Sequence, residues 1–138
     1  MTVQVTFDCA EPHRLAAWWA ELLGWNVEPQ DPIFIRRMID EGHASADDTA
    51  IVNGGLVWRA GCAINAPADT TAPRILFQEV PEPKSAKNRV HLDLRTLDDA
   101  DAQRARAVDM GAVAIGGGRQ GPHSWVTYID PEGNEFCL

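Results

Sequence analysis

QVTFDCAEPHRLAAWWAELLGWNV, residues 4–27, and HLDLRTLDDADAQRARAVDMGAVA, residues 91–114, follow one frame without a gap. Each position of the first answers to the one 87 further on, from Gln4 and His91 to Gly24 and Gly111. Few residues coincide, but the pattern does: a short alternating strand, a turn, a helix, a glycine where the helix stops, and a second strand. In the first copy Val5 and Phe7 alternate with Gln4, Thr6 and Asp8, the period of a half-buried strand. Pro12 suits the first helical position, and Leu15, Trp18, Trp19, Leu22 and Leu23 give that helix a broad apolar face ending at Gly24. In the second, Val90, Leu92 and Leu94 alternate with His91, Asp93 and Arg95, and a helix is expected from about Asp98 to Met110. Internal repetition implies two modules, neither of which closes a core alone.

Composition agrees with one folded domain. The chain has 138 residues, 45% hydrophobic, with five Trp, enough to bury a core without disulfide or metal staples and too apolar for disorder. A formal charge of −8 excludes the basic surface that nucleic acid or an anionic membrane would need. No apolar run is long enough to span a bilayer, and MTVQVTFDC lacks the pattern of a secretion signal, so a cytoplasmic location is expected. Cys9, Cys62 and Cys137 are widely spaced and form no CxxC pair; they read as small buried hydrophobes.

Beyond the first repeat the two halves differ. If Trp58 and Trp125 both sit on third strands, the first half carries about 20 extra residues, placed at about 30–55. Pro32, Ile33, Ile35, Met38 and Ile39 suggest a short helix ending at Gly42, followed by a polar loop. An insert of this length is either a lid or a surface excursion. Leu56 to Ile64 and Ile75 to Val80 read as strands, and PEPKSAKN as the linker, about 82–88. A short strand near Val113, a flexible GGGRQGP run, a strand from Ser124 to Ile129, the turn DPEGN and a last strand EFCL complete module two, about 89–138. GGGR lacks the spacing and the following Lys and Ser/Thr of a phosphate loop.

The duplicated βαβββ order, LLGW at the end of the first helix, NRVHLDLR and the closing DPEGNEFCL resemble the glyoxalase-like members of the vicinal oxygen chelate superfamily. The resemblance covers all but the insert. It implies an α+β fold in which two modules pair into a curved cup with helices outside. It does not imply one activity, because the superfamily includes isomerases, epimerases, ring-cleaving dioxygenases, fosfomycin thiol transferases and metal-free proteins that sequester bleomycin-type drugs.

In metal-using relatives the ligands come from the first and last strands of each module, and the first-strand positions fall on Gln4 and His91. The last-strand position falls on Cys137 in module two and on Phe77 or Gln78 in module one, where no carboxylate stands. Glu135 lies two residues before Cys137, about 6–7 Å away along the strand. Gln4, His91 and Glu135 are therefore the candidate metal set, with less than about one tightly held divalent ion expected per chain. Each has an ordinary alternative: His91 as a hydrogen-bonding wall residue, Glu135 as a turn brace rather than a displaced ligand or general base. Gln4, Thr6, Trp58, His91, Asp93 and Trp125 are the candidate ligand-binding residues; for the two tryptophans stacking on a flat ligand competes with packing. Asp8, Asp93 and Arg95 form either a polar constellation or cross-strand charge pairs. His123 stands beside the glycine run.

These residues favour a protein that binds a small organic ligand in the cup without a complete metal site. The alternative is a divalent-metal lyase, isomerase or dioxygenase, and the sequence does not decide whether the protein is an enzyme. A homodimer is expected, because the strand ending at Leu138 looks uncovered and Trp18 and Trp19 give the first helix more aromatic surface than one inward stripe uses.

Overall fold

The computed structural model describes residues 1–96 and 99–138, and separates into two compact units, Met1–Pro83 and Lys84–Leu138. In unit one, β1 (Gln4–Cys9), α1 (Pro12–Leu23) and β2 (Asn26–Val27) are followed by α2 (Pro32–Asp40) and a 3-10 turn at Ala46–Asp48. The hairpin β3 (Thr49–Val52) and β4 (Gly55–Trp58) comes next, then β5 (Gly61–Asn65) and β6 (Arg74–Glu79). Unit two contains β7 (Leu92–Asp93), α3 (Ala100–Asp109), β8 (Val113–Gln120), β9 (His123–Ile129) and β10 (Glu135–Cys137).

The repeat seen in the sequence is a repeat of topology. The sheet of unit one runs β1-β6-β5-β2 and that of unit two β7-β10-β9-β8. In both, the first strand pairs in parallel with the last, and every other pairing is antiparallel. The chain is thus α+β, and each module is strand, helix, three strands. Gly24 and Gly111 end their helices at equivalent positions with φ of 67° and 95°, the left-handed region that glycine enters without a Cβ penalty.

Burial follows the alternation. In unit one Leu15, Trp19 and Leu22 of α1 are buried, as are Cys62, Ile64, Ile75 and Phe77 of the sheet. Phe7 links the two layers, its ring centroid 5.5 Å from Trp19 and 5.4 Å from Phe77. In unit two Phe136 is buried and stacks on Tyr128 at 5.6 Å. Val5, Phe7, Leu92 and Leu94 are half-buried, whereas Gln4, Thr6, His91 and Asp93 are exposed.

Five expectations need correction. The stretch Leu56 to Ile64 is two strands, broken at Arg59 and Ala60, where Arg59 N–H donates to Asp48 O and Glu79 N–H to Ala60 O, both at 2.9 Å. Trp58 therefore closes the β3–β4 hairpin and is not the counterpart of Trp125, which lies on the true third strand β9. Nor is GGGRQGP a flexible run: Gly116–Gln120 continue β8 in register with β9. Two of its glycines permit close approach, since a Cβ on Gly117 would stand 2.5 Å from Trp125 O and one on Gly118 would collide with the Trp125 ring. The strand ending the chain is no edge, because β10 lies between β7 and β9. Finally, Asp93 pairs with Cys137 and Thr6 with Leu76, so the first-module counterpart of Cys137 is Leu76, not Phe77 or Gln78. The expected start of the second helix at Asp98 lies outside the described residues.

Candidate functional site

In unit two the short β7 and the end of β10 bring side chains onto one sheet face. His91 and Asp93 are two residues apart, and Asp93 is the register partner of Cys137, so all three project to the same side. Leu94 N–H donates to Cys137 O at 2.8 Å and holds this pairing past the last ladder residue. His91 Nε2 lies 3.2 Å from Asp93 Oδ1, and one donor atom from each of His91, Asp93 and Cys137 lies within 4.8 Å of the others. Cys137 is 8% exposed, and its Sγ lies 3.6 Å from Thr127 Oγ1 on β9.

These side chains line a groove of about 690 Å³, together with Arg95, Arg104, His123 and Trp125. Trp125 is 37% exposed, and its ring covers Gly118 on β8. Arg104 donates through Nε to Leu138 O at 3.1 Å and through Nη1 to Asp101 at 3.0 Å, so α3 is tied to the chain end beside the groove. The wall thus combines an aromatic ring, two imidazoles, two guanidinium groups, one carboxylate and one thiol.

Glu135 is elsewhere. It is buried, accepts from Lys84 Nζ and Asn88 N–H at 3.1 Å each, and does not line the groove. Burial pushes its pKa up, but the N–H groups of Asn88 and Glu135 itself and the Lys84 ammonium outweigh that and hold it below the usual glutamate value. It fixes the stretch preceding β7 to the start of β10, as a structural brace does.

In unit one the carbonyl of Gln4 is taken. Gln4 Oε1 accepts from Arg74 Nη1 at 2.5 Å, and Gln4 Nε2 donates to Thr6 Oγ1 at 3.4 Å. The same guanidinium grips Glu28 through two bonds, Nε to Oε2 at 2.7 Å and Nη2 to Oε1 at 3.0 Å. Asn65 adds a bond to Glu28 at 2.9 Å. Arg74 hydrogen bonding lowers the Glu28 pKa against a smaller opposing effect of burial, while Glu28 raises that of Arg74. Trp58 belongs to another local network, its N–H donating to Gln30 Oε1 at 2.7 Å and its carbonyl lying 2.8 Å from His13 Nε2. Asp8 lies on β1, opposite Gln78.

A divalent metal of the kind used by the superfamily that the sequence resembles fits Gln4 and Glu135 poorly. Each offers its oxygen to a cationic side chain, Arg74 or Lys84, and a divalent ion there would have to displace that cation or stand beside it. The sequence reads Cys137 as a buried hydrophobe standing where relatives carry a glutamate, and gives Arg104 no role. Neither the pairing of Asp93 with Cys137, which rests on the parallel register of β7 and β10, nor the reach of Arg104 from α3 has a signal in the sequence pattern.

The sequence profile of a glyoxalase-like domain family matches residues 4–138. No curated protein sequence matches the chain. Among solved structures, the fosfomycin resistance protein FosX from Listeria monocytogenes superposes with a TM-score of 0.63 at 8% identity, over 100% of this chain and 90% of the other. FosX from Mesorhizobium loti gives 0.62 at 11% identity, over 100% and 89%. A glyoxalase/bleomycin resistance protein/dioxygenase family enzyme from Burkholderia phytofirmans PsJN gives 0.59 at 16% identity, over 97% and 93%. At such identities the likeness is one of fold. With a profile match from strand β1 to the last residue, the chain belongs to the glyoxalase-like domain family of the vicinal oxygen chelate superfamily.

Proposed function

We propose that this protein binds a small organic ligand in the groove of unit two, and that it does so without the metal set Gln4, His91 and Glu135. The observation that carries this reading is Trp125, seated over Gly118, which leaves room for its ring, and partly exposed in a groove lined by His91, His123, Arg95 and Arg104. An aromatic face beside guanidinium and imidazole groups suits a flat molecule bearing a carboxylate or similar anion. The commitment of Gln4 to Arg74 and of Glu135 to Lys84 supports the same reading over a metal-dependent lyase, isomerase or dioxygenase built on those residues.

The test is a thermal-shift screen of small aromatic carboxylates, followed by calorimetry. A ligand bound by the native chain should lose at least about tenfold in affinity in Trp125→Ala, the loss of a stacked aromatic contact, and retain it in Trp58→Ala. Equal binding by Trp125→Ala, or loss in Trp58→Ala alone, overturns the assignment of the groove.

The homodimer belongs to the same proposal. Ile33 and Phe34 of α2 are 76% and 43% exposed, an apolar surface that pairing of two copies would cover. Sedimentation at micromolar concentration should give a dimer that Ile33→Asp weakens, and a monomer throughout would remove it.

A further inference from the structure

Arg104 Nε–H and Val126 N–H converge on one acceptor, Leu138 O, at 3.1 and 2.9 Å. We infer that Arg104 is the specificity-determining residue of the groove, the one that reads a ligand carboxylate, and that Asp101 holds that carboxylate's place until the ligand arrives. The inference rests on the groove proposed above and deepens it, assigning the anionic half of the ligand to one side chain.

Leu138 also donates its own N–H to Val126 O at 3.0 Å, so the acceptor that fixes the guanidinium is locked to β9, the strand that carries Trp125. The aromatic and cationic walls therefore share one backbone frame. Ala100, one helical turn before Arg104, lines the same groove and lies on the same face of α3. The Arg104 side chain is 24% exposed. Its Nε is spent on Leu138 and its Nη1 on Asp101, while Nη2 has no partner among the described residues. A guanidinium held at one end with donors to spare is pre-organised, with little rotamer freedom left to lose when an anion binds. Arg95, on the same wall, is exposed and forms no ion pair among the described residues, so it adds attraction without a fixed direction.

Asp101 shows what the guanidinium takes. Its Oδ1 lies 3.0 Å from Arg104 Nη1, and its side chain is 88% exposed. An exposed pair one helical turn apart contributes little to stability, so a second carboxylate arriving from the groove displaces it at small cost. The ligand then accepts from Nη1 and Nη2 together. A carboxamide, with one oxygen and an NH2 donor, cannot satisfy that two-pronged geometry. The wall sets two arginines against one aspartate in a chain of net charge −8, so the groove attracts an anion that the chain as a whole repels.

Calorimetry on the full chain, with naphthoate and naphthamide as probes, tests both residues. The native protein should prefer the carboxylate at least about tenfold, the scale of a hydrogen bond to a charged group. Arg104→Ala should abolish that preference and Arg104→Lys restore only part of it, with circular dichroism reporting the fold. Asp101→Asn should bind naphthoate about two- to fivefold more tightly, the worth of an exposed ion pair removed from competition, and leave naphthamide unaffected. Asp109→Asn, the same charge change at the other end of α3, should alter neither affinity. If Arg104→Ala does not fold, Arg104→Lys and Asp101→Asn decide the matter. A carboxylate preference that survives replacement of Arg104 overturns the inference. So does a naphthoate affinity that Asp101→Asn leaves unchanged or lowers, or that Asp109→Asn raises equally. A preference kept in Trp125→Ala but lost in Arg104→Ala retains Arg104 and removes the stacking half of the groove. Trp125-dependent binding of both probes without preference does the reverse. Binding of neither probe by the native chain removes both.

Discussion

Lys84 Nζ stands 3.1 Å from Glu135 Oε1, joining the start of unit two to its last strand. The carboxylate is nearly buried and also receives Asn88 N–H, so neutralising it removes two charge-assisted bonds at once. Glu135→Gln should cost about 1–3 kcal/mol at neutral pH, the range for hydrogen bonds to charged groups.

The pH dependence has a fixed sign. Because the folded-state pKa of Glu135 is lowered, its contribution is complete above the ordinary glutamate value of about 4.3 and disappears as pH falls through the folded value. Urea denaturation should show the gap between native and Glu135→Gln widest at pH 7 and closing below about pH 4. Glu28, also lowered, titrates in the same direction in both proteins and cancels in the difference. A gap that persists in acid would assign Glu135 a packing role without the ion pair.

Much of the fold was legible because it is written in periodicities. Alternation at Val5 and Phe7, the helix starting at Pro12, the stop at Gly24 and the short helix from Pro32 are local effects, and each appears with nearly the expected bounds. What escaped is set by contacts distant in sequence. The break after Trp58 depends on Gln30, whose amide accepts Trp58 N–H and donates to Gly61 O at 3.0 Å. The glycine run is a strand because it pairs with β9, Gly118 lying under the Trp125 ring, a relationship that composition, which marks Gly as a breaker, reads with the opposite sign. At the candidate site His91 and Asp93 were visible from alternation. The partnership with Cys137 needed the parallel register of β7 and β10.

Arg74 gives a second prediction. Its two bonds to Glu28 and one to Gln4 are partly exposed, with side-chain exposure of 36% and 37% for Arg74 and Glu28. Solvent screening limits such a network, so Arg74→Ala should cost about 1 kcal/mol, less at high salt. Arg74→Lys should recover only part of it, because an ammonium cannot match the two-pronged grip on a carboxylate. Full recovery in urea denaturation would show that charge alone matters.

The adjacent tryptophans of α1 should behave differently. Trp19 is fully buried against Phe7, whereas Trp18 is half-buried and meets Trp19 edge-on at 5.3 Å. Trp19→Ala should cost about 3–5 kcal/mol by the cavity it leaves. Trp18→Ala should cost less than half as much in the same denaturation series; equal losses would place both rings in the core.

Gly116 and Gly118 of β8 give the sharpest contrast. A Cβ on Gly116 meets nothing within 4 Å, but one on Gly118 runs into the Trp125 ring. Both lie in β8 without positive φ, so backbone preference does not separate them. Gly116→Ala should therefore change stability by no more than about 0.5 kcal/mol, as at an unobstructed surface site. Gly118→Ala must push the ring aside or bend the strand, at about 1–3 kcal/mol, the cost of overpacking. Its loss should shrink in the Trp125→Ala background, where the obstruction is gone, giving a coupling energy in a double-mutant cycle that Gly116→Ala does not share. Since the displaced ring belongs to the groove, Gly118→Ala should also weaken any Trp125-dependent ligand, while Gly116→Ala leaves that affinity unchanged. Equal effects of the two alanines on stability and binding would mean that the glycines serve the strand and not the ring.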